Sequence, residues 1–527
     1  MGRILLLSSA LACVMLAVLR LPAGEPGPAA DTPKRMRVAC NLGALADYGT
    51  DLPFVDAMKL CRPWKTIAAD KALEYCDTNA NVPVDENGYP LEIPYADGNK
   101  PAQRVLTITL VELPKAMYPN GRFTLLFEGK GEIRLGWDGG NKSVEGKGGT
   151  TKYEFEINIT GNCSRGLIVD LPRSEKGDHV RNIRLIMPGF AETCEKNPFH
   201  PNFLEMLRPF CAIRFMDWGC TNGSQQVEWS KRTKKAGFCQ TSGVAYEWMI
   251  DLCNTLNKDA WICCPHMANE EYQRELAQLV RDNVKPGLKV YIEWSNELWN
   301  GFQPAMFNYA ANKGMALKLD TDKKKCNYKY NTYAAVRLFK VFDEILQNDH
   351  SRYVKVLSPQ HGAFPISETM LAALQDPAIN PDGVKADAAA YGVYFGFYAN
   401  GKTSTETLKQ VAADIPNHVN ILKRQKEMAD KAGLVVISYE GGQHIADPKA
   451  AIPANKDPGM YQVYLDFLNA ISAHLTMFNQ YTVCGRYSNW GCWGAKEYVA
   501  QPLSEAPKYR ALMDFISGNQ KVGEAPK

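Results

Sequence analysis

Hydrophobic and polar positions follow two patterns along most of this chain. Between residues 103 and 190, short β-branched and aromatic runs alternate with Gly-rich turns such as Gly139-Gly140, which is typical of antiparallel strands. After Pro201, apolar runs of strand length alternate with longer segments whose apolar residues recur at helical spacing. This second pattern predicts a βαβα chain and a parallel sheet.

The antiparallel region predicts little helix. Its strands are expected at residues 105–113, 123–127, 132–137, 153–159, 166–171 and 183–187. We interpret residues 101–190 as an antiparallel β-sandwich of the kind that carbohydrate-binding modules use. Trp137 is a candidate sugar platform in it, and a purely structural insertion is the alternative.

Eight strands are expected outside this region. Met36–Leu45 is the first, and the others are expected at residues 210–216, 260–266, 289–294, 353–357, 388–394, 434–440 and 476–482. They predict an α/β fold, a (β/α)8 TIM-type barrel with the antiparallel β-sandwich inserted between barrel strands 1 and 2. Residues 36–100 then begin the barrel and continue as loop, and residues 200–520 supply the remainder of the barrel.

Two of these strands end in carboxylates. Val290-Tyr-Ile-Glu-Trp294 runs into Asn296-Glu297, and Leu434-Val-Val-Ile-Ser-Tyr runs into Glu440. The carboxyl ends of barrel strands meet at one face, where such barrels place their chemistry. Two carboxyls about 5 Å apart are the requirement of a retaining glycosidase. Glu297 and Glu440 are therefore the candidate catalytic residues.

The stretch Glu293-Trp-Ser-Asn-Glu-Leu-Trp-Asn300 resembles the fourth-strand Asn-Glu of clan A glycoside hydrolases. It is also similar to bacterial secreted proteins labelled cellulose-binding. The resemblance implies that Glu297 is the acid/base, that Asn296 binds the sugar 2-hydroxyl, and that Glu440 is the nucleophile. Leu298 stands where many clan members have Pro.

The resemblance also implies roles for residues on other strands. Arg214 matches the arginine that keeps the nucleophile ionised, and His266 matches a substrate-binding histidine. As alternatives, Arg214 is a structural ion-pair partner and His266 a core residue. Glu293 shares a strand face with Glu297 and is interpreted as structural.

Two aromatic assignments stay open between neighbours. Tyr394 matches the tyrosine whose hydroxyl touches the nucleophile, with Tyr391 competing for that role. Trp493 matches the tryptophan beneath the sugar at the cleaved bond, with Trp490 competing. Aromatic faces suit the C–H surfaces of sugars, although a tryptophan is more often simply core.

Composition narrows the classes of partner. The chain has 527 residues, 45% hydrophobic and 22% charged, with a formal net charge of +3. This near-neutral balance gives no indication of a nucleic-acid partner. Neither a CxxC pair nor an HExxH helix occurs, so we expect no metal site and no cofactor.

The first 24 residues read as a signal peptide. A short basic start is followed by an apolar run from Ile4 to Leu19 and by the small-residue site Leu21-Pro-Ala-Gly24. The run is short for a membrane span, so we expect secretion or a periplasmic location without stable membrane insertion. The 15 cysteines then suggest disulfides. Candidate pairs are Cys61–Cys76, Cys220–Cys239 and Cys484–Cys492.

These observations predict a secreted retaining glycoside hydrolase that acts on a β-linked polysaccharide or oligosaccharide. A non-catalytic carbohydrate-binding protein on a barrel scaffold is the first alternative. A surface scaffold or adhesion protein is the second, supported only by the cysteines and the export signal.

Overall fold

The structure, a computed structural model, describes residues 35–72, 77–96, 98 and 101–518. The predicted signal peptide at residues 1–24 lies outside the described residues, as does Cys76. The strands, in chain order, are β1 (Arg37–Asn41), β2 (Lys65–Ala68), β3 (Gln103–Thr109), β4 (Gly121–Trp137), β5 (Lys142–Ile157), β6 (Leu167–Ser174), β7 (Arg181–Ile186), β8 (Ala212–Arg214), β9 (Asp259–Cys264), β10 (Val290–Trp294), β11 (Tyr353–Leu357), β12 (Ala388–Phe395), β13 (Val435–Gln443) and β14 (Met477–Gln480).

Helices fill the intervals between the later strands. They are α1 (Pro201–Leu207), α2 (Tyr246–Leu256), α3 (Glu270–Asn283), α4 (Pro304–Ala316), α5 (Lys323–Ile345), α6 (Phe364–Gln375), α7 (Ser404–Lys431), α8 (Pro448–Lys456), α9 (Met460–Ile471) and α10 (Pro507–Ser517). Short 3-10 segments occur at Ala57–Leu60, Trp229–Lys231 and Leu503–Glu505.

Eight parallel strands close into a barrel. Their order is β1-β14-β13-β12-β11-β10-β9-β8, and β8 pairs with β1 to complete the ring. All five residues of β10 are buried, because helices cover the outside and side chains fill the inside. The (β/α)8 barrel expected from the sequence, and from its resemblance to clan A, is therefore present.

The remaining strands form one antiparallel sheet with the order β2-β3-β6-β4-β5, and β7 pairs with β4. The long β4 pairs with β7 through residues 124–128 and with β6 through residues 131–137. All six strands are thus hydrogen-bonded together, whereas the sequence predicted a sandwich of two sheets. Side chains of this sheet and of the barrel belong to one apolar core.

Several expected elements differ in extent. The predicted strands at 123–127 and 132–137 are one strand, because a bulge at Glu128/Lys130 carries the pairing with β5 past Gly129. Apolar residues recur at helical spacing from Phe54 to Cys61, but only the 3-10 segment Ala57–Leu60 forms there, capped by the Asp56 side chain. The segment expected to be loop contains β2.

The described cysteines are all free thiols, 13 of them. Neither Cys220–Cys239 nor Cys484–Cys492 forms a disulfide, and Cys61–Cys76 involves a residue outside the described part. Across the residues that the structure describes, no helix is both long and apolar enough to cross a membrane.

Candidate active site

A buried arginine connects the strands beneath the candidate site. Arg214 ends β8, is fully buried, and donates from Nε and Nη2 to Glu293 Oε2 on β10 at 3.2 and 2.9 Å. It also donates to Asn41 Oδ1 at 3.1 Å and to Asn296 Oδ1 at 2.9 Å. One guanidinium on β8 therefore fixes side chains from β1 and β10 and orients Asn296 just beyond β10.

Glu293 is the direct ionic partner of this arginine. Its Oε2 also accepts from Trp261 Nε1 at 2.8 Å and from Cys263 Sγ at 3.3 Å. The residue is only 1% exposed, so it is enclosed below the site, in agreement with its interpretation as structural. The sequence had assigned Arg214 to the nucleophile, but its hydrogen bonds go to Glu293 and the amides, and it acts on Glu440 only through space.

The backbone after β10 turns sharply at Glu297. Ser295 and Glu297 have φ values of 59° and 44°, a left-handed conformation that costs non-glycine residues about 1–3 kcal/mol. The carboxylate accepts from the Tyr439 hydroxyl at 2.7 Å and from Asn300 Nδ2 at 2.9 Å. These two donors hold the Glu297 side chain in place.

Glu440 reaches the same place from β13. The pairing of β12 with β13 shifts register, so that Tyr391 pairs with Ser438 and Gly392 pairs with Glu440. Tyr439 is the extra residue of this bulge, which allows adjacent side chains to serve one site. A Cβ on Gly392 would lie 2.8 Å from the Tyr439 hydroxyl, so glycine leaves the space that this phenol occupies.

The charges of the two glutamates interact. Burial, together with the negative charges of Glu297 and Asp217, raises the pKa of Glu440 to about 8. Arg214 and a hydrogen bond from the Tyr394 hydroxyl act in the opposite direction. The two carboxyls therefore interact within one electrostatic cluster at one end of the barrel.

A third carboxylate, Asp217, belongs to this cluster. It follows β8 and accepts from the Tyr481 hydroxyl at 3.0 Å. Burial raises its pKa, opposed by the Tyr481 hydrogen bond and by the charge of Arg214. The sequence analysis missed Asp217, Tyr439 and Tyr481, although each lies within three residues of a strand end or of a chosen residue.

Of the competing tyrosines, Tyr394 is the one beside the carboxylates. Burial and the charges of Glu440 and Glu297 raise the pKa of its phenol well above the usual value. Tyr391 is fully buried, and the only polar group that affects its pKa is Ser367 of the covering helix α6. The structure therefore brings Tyr394, and not Tyr391, to the site.

Aromatic rings lead outward from Tyr394. Its ring centroid lies 5.5 Å from that of His444, which lies 5.1 Å from Phe397, and Phe397 lies 5.0 Å from Tyr398. Trp493 lies 5.5 Å from His444 on the same array. Tyr398 is 88% exposed at the outer end. We call Tyr394, His444, Phe397 and Tyr398 the aromatic path.

His266 and Trp490, the two remaining candidates, do not contact the cluster of Asp217, Glu297 and Glu440. His266 is 3% exposed and packs edge-on against Tyr309 at 5.0 Å, and its buried Nδ1 has no hydrogen-bond partner among the described residues. Its surroundings are those of a core histidine. Trp490 is 90% exposed, whereas Trp493 is in the aromatic array.

Cofactor and metal sites were also sought. Within the described ranges, no group of three or more His, Cys, Asp and Glu side chains is arranged to hold a metal ion. A cavity of about 480 Å³ lies between the sheet and the barrel near Phe54 and Trp248, and neither Glu297 nor Glu440 lines it.

No known family profile matches the sequence, and no curated protein is similar to it. Solved structures with a similar fold include a family 51 arabinofuranosidase from Xanthomonas axonopodis pv. citri, with 13% identity, 55% of this chain and 61% of that chain covered, and a TM-score of 0.36. A family 1 β-glucosidase from Thermotoga maritima has 13% identity, with 60% of this chain and 85% of that chain covered and a TM-score of 0.36. An intracellular xylanase from Thermoanaerobacterium saccharolyticum has 10% identity, with 58% of this chain and 89% of that chain covered and a TM-score of 0.33. At these values the likeness concerns the fold alone, so an activity has to be inferred from the geometry of the site.

The arginine network predicts an asymmetric response to mutation. Arg214→Met leaves Glu293 charged and buried, and we expect a loss of about 3–5 kcal/mol in the free energy of unfolding. Arg214→Met combined with Glu293→Gln removes both charges and should recover a large part of that loss. Urea unfolding measures both values, and equal destabilisation of the single and double variants would contradict this account.

The raised pKa of Glu440 predicts a pH-dependent stability. The folded state binds the proton of the Glu440 carboxyl more tightly than the unfolded state does. The difference applies at pH values between the ordinary pKa of 4.5 and the folded-state pKa of about 8. Stability contributed by the protonated group is therefore lost as pH rises through that window. Glu440→Gln lacks this loss, so its Tm relative to wild type should increase by about 2 °C or more from pH 5 to pH 9.

A matched control for this measurement is Glu427→Gln on the exposed face of α7. Its Tm difference from wild type should stay constant over the same range. A flat profile for Glu440→Gln, or one that falls with pH, would show that the carboxyl is not protonated in the folded state.

Proposed function

We propose that this protein is a retaining glycoside hydrolase that acts on a β-linked polysaccharide. The observation that carries the proposal is the convergence of Glu297, from the end of the fourth barrel strand, and Glu440, from the seventh, in one interacting pair. A double displacement requires two carboxyls, one protonated and one ionised. Glu297 and Glu440 supply the two carboxyls.

The proposed roles are nucleophile for Glu440 and acid/base for Glu297. Glu440 attacks the anomeric carbon while Glu297 protonates the leaving oxygen, and Glu297 then activates the water that releases the sugar. In the resting site, burial favours the protonated form of Glu440. These roles therefore require the proton to move to Glu297 once substrate is bound.

The neighbours of the pair are suited to hold a sugar. Asn296 is fixed by Arg214 and donates to Asn222 Oδ1 at 3.0 Å, which presents its amide near the sugar 2-hydroxyl in the proposed complex. Tyr394 and Trp493 offer aromatic surface beside Glu440. The aromatic path continues to the exposed Tyr398, and its length supports a chain of sugars as the substrate.

The resting proton distribution also favours a second candidate function. A nucleophile that is protonated at neutral pH is inactive until it ionises, and a barrel that binds glycans without turnover would have no need of that step. The alternative is thus a non-catalytic carbohydrate-binding protein. For either function we further propose export, as the apolar N-terminal segment suggests, and a glycan-binding contribution from the antiparallel sheet.

Variants of the two glutamates should give opposite stereochemical products. With an activated dinitrophenyl β-glycoside and azide, Glu297→Ala should form a β-glycosyl azide. Azide then attacks the glycosyl-enzyme intermediate in place of the water that Glu297 would activate. Glu440→Ala should form an α-glycosyl azide, because azide then attacks in place of the missing nucleophile. NMR of the product assigns the configuration.

Glu427→Ala serves as the unaffected control in that experiment. An α-glycosyl azide from Glu297→Ala and a β-glycosyl azide from Glu440→Ala would reverse the proposed roles of the two glutamates, although the protein would still be a retaining hydrolase. Glycan binding by wild type without release of reducing ends from any member of a broad panel would instead support the binding protein.

The aromatic path predicts a dependence on substrate length. Tyr398→Ala should lower kcat/KM for long oligosaccharides by about tenfold, because one stacking surface is lost, and should leave an aryl monoglycoside unaffected. Tyr398→Phe keeps the ring and is the matched control, with wild-type values expected on both substrates. An equal loss on the short and long substrates would place Tyr398 outside the binding path.

A further inference from the structure

Two segments far apart in the chain are held side by side next to the sheet. Gln240 N donates to Lys59 O at 3.2 Å, and Lys59 Nζ donates to Gly237 O at 2.7 Å. Thr241 Oγ1 donates to Cys61 O at 2.8 Å. These bonds join the end of the 3-10 segment to the loop between β8 and α2.

Each segment contributes one cysteine to this junction. Cys239 Sγ lies 3.0 Å from the carbonyl oxygen of Cys61 and 3.1 Å from Thr241 Oγ1. Each of the two thiols also affects the pKa of the other. Cys220, the partner expected from sequence spacing, contacts the Thr241 carbonyl at 4.0 Å instead.

The two sulfurs have different surroundings. Cys61 is fully buried, and burial raises the pKa of its thiol well above the ordinary value. Cys239 is partly exposed. Hydrogen bonds, first from Cys61 and then from Thr241 and Ser242, lower the pKa of the Cys239 thiol to about 7. The partly exposed Cys239 is thus the better nucleophile. The buried Cys61 lies where it can attack an adduct formed on Cys239.

We propose that Cys61 and Cys239 form a reversible dithiol–disulfide pair that exchanges with low-molecular-weight disulfides. The Cys239 thiolate attacks one sulfur of the external disulfide, which releases one small thiolate and leaves a mixed disulfide on Cys239. Cys61 gives its proton to the released thiolate and attacks Cys239 Sγ, which expels the second small thiolate. The protein pair loses two electrons, and the external disulfide is reduced to two thiols.

The position of the pair gives the bond a structural effect. The two residues are 178 positions apart in the chain, and the loop that carries Cys239 follows β8 and contains Asp217. Trp218 O, next to Asp217, accepts from Val244 N at 2.7 Å, so the two ends of this loop are already tied together. A Cys61–Cys239 bond would restrict the loop beside the candidate active site and constrain the unfolded chain.

The test uses the full chain equilibrated with oxidised and reduced glutathione, then blocked with N-ethylmaleimide and digested for mass spectrometry. We expect a Cys61–Cys239 peptide pair that forms in oxidised buffer, disappears in reduced buffer, and raises the Tm by about 5 °C. Cys239→Ser should abolish the pair, whereas Cys253→Ser, a change at a buried thiol elsewhere, should keep it.

A second readout is independent of any variant. On reduced wild type at pH 7, iodoacetamide should modify Cys239 at least about tenfold faster than Cys253. Pairing of Cys239 with Cys220, pairing of Cys61 with Cys76, or full retention of free Cys61 and Cys239 in oxidised buffer would each overturn the proposal. So would equal alkylation rates at Cys239 and Cys253.

Discussion

The guanidinium of Arg214 is the interaction on which the candidate site depends. It lies inside the barrel, where a single unpaired charge would be strongly unfavourable, and Glu293 compensates it. The remaining donors are used by two amides, Asn41 from β1 and Asn296 beyond β10. A purely apolar core could close the same barrel, but it could not position the amide next to Glu297.

Above this level the site is acidic. Three carboxylates, Asp217, Glu297 and Glu440, lie over one arginine whose charge is already matched by Glu293, and phenols surround them. Tyr439, Tyr481 and Tyr394 each interact with a different carboxylate. Hydroxyl donors therefore take the place of a second cation, and the pKa of Glu440 stays above its ordinary value, where a second nearby cation would lower it.

The sequence predicted the barrel well, because apolar runs of strand length with polar ends recur at regular intervals. It also selected Glu297 and Glu440, since both follow such runs directly. The direct partner of Arg214 could not be read from the sequence, because which acid faces it depends on how the strands are staggered. Tyr391 and Tyr394 were indistinguishable for a related reason: the bulge at Tyr439 lies on the neighbouring strand. The single connected sheet was missed because pairing of β4 with three strands leaves no mark in its own alternation of residues.

That bulge has an evolutionary consequence. Tyr439 is one residue more than the pairing of β12 and β13 needs, so loss of a single codon would restore a regular strand. The barrel could survive such a deletion, but Glu440 or the phenol beside it would then turn away from the interior. A family built on this scaffold could in this way lose the paired carboxyls in one genetic step while it kept the barrel.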